Sequence, residues 1–95
     1  MTIANEKEKY RIMLFVAGSE PNSRRAKENL VRLCETELEA DYELVVVDVL
    51  EDHQAAIDHH VMVVPMTVVS DSAPSVSILG DLSDTGRLRA ALGLE

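Results

Sequence analysis

Apolar residues in this chain fall into two patterns, unbroken runs and helical stripes, and their alternation sets out an order of elements. Ile12-Met-Leu-Phe-Val16 is apolar at every position, as expected of a strand covered on both faces of a sheet. Leu44-Val-Val-Val-Asp-Val49 repeats the pattern, so both segments are predicted to be interior parallel strands. Between them, residues 23–39 put Ala26, Leu30, Leu33, Cys34 and Leu38 on one stripe at helical spacing, with Glu28, Arg32 and Glu35 outside it. Such a helix can make the right-handed crossover that parallel neighbours require. Residues 52–60, polar with a few small apolar positions, read as a short helix. Residues 61–69 and Val76-Ser-Ile-Leu79 read as strands joined by the turn-rich segment 70–75, whose length predicts an antiparallel hairpin. Pro65 lacks the N–H of a central strand and must mark a strand's start or an edge. Asp81-Leu-Ser-Asp84 offers capping side chains for a last helix that runs through Leu92 and stops at Gly93, and Gly80 suits a turn of positive φ before it. The predicted order is β-α-β-α-β-β-α in one α/β domain over residues 1–95, with 1–9 as a flexible start.

Composition limits what such a domain can bind. Nine Lys and Arg against seventeen Asp and Glu give a formal charge of −8, which opposes phosphate backbones and anionic membranes, so neither nucleic acid nor membrane is an expected partner. With Tyr10, Phe15 and Tyr42 as its aromatic residues, the chain offers no stacking platform for single strands, and aliphatic side chains must fill the core. No apolar run approaches the roughly 20 residues that span a bilayer, and the charged start is unlike a secretory signal, so a cytoplasmic location is expected. Cys34 is the one cysteine, which rules out an internal disulfide or a multi-cysteine metal site.

The order of elements is that of a thioredoxin-like fold. In a thioredoxin the junction between first strand and first helix carries a redox dithiol, activated by the helix N-terminus. Here that junction reads Ser19-Glu20-Pro21-Asn22, which cannot exchange disulfides. The scaffold is thus expected without the chemistry: no enzyme, no catalytic residue, no cofactor. Cys34, on the apolar stripe, is expected as a core residue. His53 and His60 are separated by about 10 Å of helical rise, too far to share one metal ion. They and His59 are expected as solvated histidines near a helix end. Arg24, Arg25 and Lys27 open the first helix against its macrodipole, with pairs expected at Arg24/Glu28 and Glu28/Arg32. This solvated face is also a candidate basic patch for an acidic partner. Asp48 interrupts the second strand and is expected to serve the strand end or a capping turn. No glycine-rich phosphate loop is present.

The segments Leu14-Phe-Val-Ala-Gly18, Pro21-Asn-Ser23, Tyr42-Glu-Leu-Val-Val-Val-Asp-Val-Leu50 and Ile78-Leu-Gly-Asp-Leu-Ser83 closely resemble the KaiB family of circadian-clock proteins, from about residue 10 to residue 92. The resemblance implies a regulator that docks on the ATPase ring of KaiC and works alongside KaiA-like or SasA-like proteins. It also implies exchange between a self-associating ground state and a monomeric thioredoxin-like state, with the C-terminal half rebuilt. A cis bond at Val64-Pro65 is implied as well. Arg25, Asp52, His53, Ala56, His59 and His60 are the residues expected to meet a partner, and Gly18, Pro21, Pro65, Gly80 and Asp81 those expected to fix the fold.

Two departures from the family matter. Met13, Val45, His60, Val69, Val76 and Ser77 stand where cyanobacterial relatives tend to carry Lys or Arg, and Leu92-Gly-Leu-Glu95 stops where relatives continue. Together with the strand-forming valines, these favour the thioredoxin-like state, as a monomer. The sensor domain of the kinase SasA shares the fold and some motifs, so a docking module of a SasA-type system is the alternative.

Overall fold

The first apolar run forms β1, Tyr10–Val16, and lies inside a sheet with a neighbour on each side. The computed structural model describes residues 10–38, 42–69 and 76–94. Along it follow α1 (Pro21–Leu33), a π-helical turn (Cys34–Leu38), β2 (Tyr42–Asp48), α2 (His53–Asp58), β3 (Met66–Val69), β4 (Val76–Leu79) and α3 (Thr85–Ala91). The sheet order is β2-β1-β3-β4. β1 runs parallel to β2 from Tyr10↔Tyr42 to Val16↔Asp48, and antiparallel to β3 from Ile12↔Val69 to Phe15↔Met66. β3 and β4 form the expected antiparallel pair, while the linking residues 70–75, like 1–9, lie outside the described residues.

Alternate residues of β1 feed two separate cores, as the period of a strand requires. Ile12, Leu14 and Val16 meet Ala26, Leu30, Leu33, Cys34 and Leu38 of the helical stripe and Leu88 and Leu92 from the end of the chain. Phe15 faces the other way, with Met66 and Val68, against Val47, Ala55 and Val61. The sheet therefore carries α1 and α3 on one face and the short α2 on the other.

Three predicted elements are corrected. β2 is parallel, but it is an edge strand and not an interior one, with Val45 and Val46 exposed. The crossover places it on one side of β1 and β3 takes the other, and among the described residues no strand pairs beyond it. The strand predicted over 61–69 is confined to Met66–Val69, because Pro65 has no N–H to extend the ladder. The first helix begins at Pro21, where a proline's missing donor costs nothing, and its α-helical part ends at Leu33. Continued α-helical winding would carry Leu38 round the edge of the stripe. The wider π-helical turn advances less per residue and keeps Leu38 buried.

Caps set the other helix bounds. The Asp52 carboxylate accepts from Ala55 N at 3.0 Å, so the helix predicted over 52–60 runs over His53–Asp58 with His59 as its C-cap. Asp84 accepts from Gly86 N at 3.0 Å at the start of α3, and Gly93 leaves it at φ 75°. The pairs expected at Arg24/Glu28 and Glu28/Arg32 are not among the ion pairs of the described residues, which are Arg11–Glu43 (3.7 Å), Arg25–Asp81 (3.7 Å) and Arg89–Glu37 (2.8 Å). All three join different elements. Exposed pairs of this sort contribute about 0–1 kcal/mol each.

Among the described residues, one buried side-chain oxygen lacks a partner: Thr67, fully buried in β3, has no hydrogen bond at Oγ1. Thr67→Val keeps the shape and removes the unsatisfied hydroxyl, so the expected effect is a gain of about 1 kcal/mol, seen as a higher denaturant midpoint at unchanged slope. A lower midpoint would contradict it.

Candidate docking site

The turn that leaves β1 is closed by hydrogen bonds. Gly18, at φ 55°, donates its N–H to Asp48 Oδ1 at 3.0 Å, and the same oxygen accepts from Leu50 N at 3.0 Å. Asp48 thus ties the end of β2 to the turn, the structural role expected of it. A Cβ at position 18 would meet Leu50 Cδ1 at 3.3 Å, so both φ and space favour glycine. Ala17 N donates to the buried Ser23 Oγ at 3.1 Å, and Ser23 N donates to the Glu20 carboxylate at 2.9 Å. That last bond holds the Glu20 carboxyl below its ordinary range. The helix N-terminus that would activate a thiol is therefore capped by a carboxylate.

Cys34 lies at the far end of α1, buried in the first core, where desolvation, with Glu35 adding to it, pushes its thiol up to about 11. A protonated, enclosed thiol is a poor nucleophile. Among the described residues no three His, Cys, Asp or Glu side chains are grouped to hold a metal ion.

The opposite face is more open. α2 has no fully buried residue and sits on the second core through Ala55. At its end the His59 ring packs on Phe15, centroids 5.2 Å apart and planes tilted by 49°, with Nδ1 3.0 Å from Ala55 O. A carbonyl only accepts, so Nδ1 is the donor in this contact. His60 follows at φ 57°, and the Val64–Pro65 bond is cis, as the resemblance implied. Pro65 O then accepts from Gly80 N at 3.0 Å, joining this loop to the end of β4.

Large apolar side chains face water on α2 and on the segments before and after it, Leu50, Ile57 (65% exposed), Met62 (89%) and Val63, and at the end of β4, Leu79. His59, His60, Met62, Val63, Met66, Ser77 and Leu79 line a depression of about 420 Å³. Exposed Glu51, Asp52 and Asp58 lie among them along the chain, giving an apolar surface with acidic neighbours. Such a surface is suited to protein contact.

Of the residues expected to meet a partner, Asp52, His53, Ala56, His59 and His60 fall together on α2 and its two ends. Arg25 does not join them. It lies on α1, across the sheet, bonded to Asn22 Oδ1 at 2.7 Å and paired with Asp81. The fold positions sit at junctions: Gly18 in the first turn, Pro21 opening α1, Pro65 before β3, and Gly80 at φ 109°. Asp81 O accepts from Asn29 Nδ2 at 2.9 Å, and its carboxylate accepts from Ser83 N at 3.0 Å, which holds that carboxyl below its ordinary range. Sequence reasoning missed Leu50, Ile57, Met62, Val63 and Leu79 as surface residues. The available signal was the large apolar side chains within and beside a short polar helix. Among the positions without the family's basic residues, Val45 and Val76 are exposed on the two edge strands, whereas Val69 is buried.

Comparison with known proteins agrees with this geometry. The model of the KaiB domain matches residues 13–94. The chain is 40% identical over 86 residues to a circadian clock oscillator protein KaiB of Acaryochloris marina, covering 90% of this chain and 81% of that protein. A protein of the same name from Nostoc punctiforme is 39% identical over 89 residues, covering 94% and 84%. The solution structure of the N-terminal domain of Synechococcus elongatus SasA superposes with a TM-score of 0.75 at 19% identity, covering all of this chain and 93% of that one. Mitochondrial thioredoxin 3 of Saccharomyces cerevisiae gives 0.74 at 19% identity, covering 94% and 82%. The fold is thioredoxin-like.

Two outcomes follow from the site. Iodoacetamide at pH 8 should leave Cys34 unmodified in the native protein and alkylate it on unfolding, as read by mass spectrometry; native-state reaction at a free-thiol rate would contradict its burial. Asp52→Ala should cost about 1 kcal/mol and reduce the helical chemical shifts of His53–Asp58, and unchanged shifts would show that α2 does not depend on its cap.

Proposed function

The chain belongs to the KaiB family, and we propose that it is a non-enzymatic regulator of the circadian-clock type that docks on a KaiC-type ATPase ring through the surface around α2. The observation that carries this reading is the group of exposed apolar residues at and beyond α2, Leu50, Ile57, Met62, Val63 and Leu79, beside a thioredoxin-type turn without thiols. A redox enzyme would need a reactive cysteine at that turn. A docking protein needs apolar side chains free to be covered, and it has them.

In this proposal the protein acts as a cytoplasmic monomer without a cofactor, and the thioredoxin-like state is the one that binds. KaiA-like or SasA-like proteins are its further partners. Exchange with the family's other fold belongs to the same proposal. Two features of the described state keep the gap between folds small: the unpartnered Thr67 hydroxyl, and the left-handed backbone of His60 and Leu82 (φ 57° and 63°). Such features cost about 1–3 kcal/mol each. Two folds must lie within a few kcal/mol to exchange. The described acidic residues beside α2 ask for a partner with a cationic rim.

The likeness to the SasA N-terminal domain supports one second reading, a docking module of a SasA-type kinase system.

Backbone chemical shifts, followed during titration with the ATP-loaded KaiC-type ATPase of the same organism, test the first reading. The expected result is helix at His53–Asp58, strand at Val76–Leu79, and perturbation centred on α2 and Leu79. Ile57→Asp should weaken binding at least about tenfold, since it places a charge at the centre of an apolar contact. No perturbation at saturating ATPase would overturn the KaiC reading in favour of the second, and unchanged affinity of Ile57→Asp would move the contact off α2.

A further inference from the structure

We propose that the depression between the end of α2 and the β3–β4 pair binds a soft monovalent transition-metal cation, copper(I), through His59, Met62 and Met66, with His60 at its mouth. The four side chains line one cavity of about 420 Å³, whose other lining residues are Val63, Ser77 and Leu79. No carboxylate and no thiolate lines it. Calcium and magnesium need oxygen ligands, and zinc sites draw on thiolate, imidazole and carboxylate, whereas thioether sulfur selects copper(I). Two imidazoles and two thioethers form a neutral, soft donor set.

The His59 ring is held at two points. Its centroid lies 5.2 Å from that of Phe15, and Nδ1 donates to Ala55 O at 3.0 Å, which leaves Nε2 as the ring nitrogen not engaged by that bond. An imidazole anchored through one nitrogen to a backbone carbonyl is the usual outer-shell arrangement of a metal-binding histidine. Met66 is brought to the same ring by register: it is the partner of Phe15 across β1 and β3 and packs in the same core. Met66 lines the cavity while itself nearly buried. Met62 comes from the opposite condition, an apolar side chain 89% exposed, two residues after His60. A bound cation gives that side chain a partner it otherwise lacks. Backbone at His60 is held in the left-handed region, φ 57°, a conformation costly for histidine and found disproportionately at functional positions. The formal charge of −8 favours a cation at any such site.

The test uses the whole protein and the metal alone, so it stands apart from any ATPase. Under anaerobic conditions copper(I) is titrated into the protein against bicinchoninate, with silver(I) as the diamagnetic probe for chemical shifts. The expected result is withdrawal of one equivalent of copper(I) from the chelator, with silver(I) shifts confined to residues 59–66 and their neighbours on β4. Met62→Leu, on an exposed side chain, should leave the circular dichroism and thermal midpoint unchanged and weaken copper(I) binding at least about tenfold. His60→Asn should weaken it to a smaller degree. Failure to compete with the chelator, wild-type affinity in Met62→Leu, or equally tight zinc(II) binding at the same residues would each overturn the assignment.

Discussion

Burial of β1 on both faces is the constraint from which the rest of the molecule follows. Its side chains alternate between two cores, so one strand needs a layer of structure above it and another below. The first layer is ample. α1, the π-helical turn and α3 supply Ala26, Leu30, Leu33, Cys34, Leu38, Leu88 and Leu92 against Ile12, Leu14 and Val16. The second layer is thin: one six-residue helix without a fully buried residue, helped by a histidine ring tilted against Phe15. Phe15 is fully buried nonetheless, and the edge of that cover is where apolar side chains remain in water. In the proposed docking mode, this shortage of cover leaves the surface that a partner would use.

The turn after β1 keeps the backbone of a thioredoxin-like fold without a thiol in it. Its polar side chains serve the structure, since Asp48 accepts from two amides, Ser23 accepts from one, and Glu20 caps α1. An active-site thiolate would compete for the amide at the helix start, which the Glu20 carboxylate already occupies. Because that carboxyl and Asp81 both titrate below their ordinary values, their contribution to stability is present above those values and is lost as the pH falls through the lowered ones. The start of α1 is thus held by an ionised Glu20 carboxylate through neutral pH.

What could be read from the sequence was local. The apolar run of β1, the stripe of α1, the hairpin and the caps of α3 all depend on neighbours within a few positions, and the structure has them. β2 was misjudged as interior because an apolar run does not say how many strands flank it. β3 was drawn too long because Val61, Val63 and Val64 have strand propensity, whereas the proline that follows sets where the ladder begins. The π-helical turn and the glutamate cap left no pattern distinct from an ordinary helix. Of the residues that the resemblance offers for partner contact, those at 52–60 share one face through α2, whereas Arg25 lies on α1 with the sheet between. Which face a residue occupies is a property of packing. For the same reason Leu50, Ile57, Met62, Val63 and Leu79 resembled core or strand residues until their exposure was known.

In the proposed docking, exposed apolar residues beside acidic ones impose a direction on recognition. Apolar side chains give affinity when covered, yet they discriminate poorly among partners, because any apolar surface of similar shape suits them. Discrimination then falls to the charges at the rim, where Glu51, Asp52 and Asp58 repel an acidic partner and attract a basic one. Asp52 has a second duty, since its carboxylate also caps α2, so charge at the rim and the presence of the helix are coupled in one residue. A partner that neutralised Asp52 by drawing its carboxylate away would weaken the helix that presents Ile57. Contacts that leave the cap intact are therefore favoured, and the cationic rim of a partner is better aimed at Glu51 and Asp58, whose carboxylates cap no helix among the described residues.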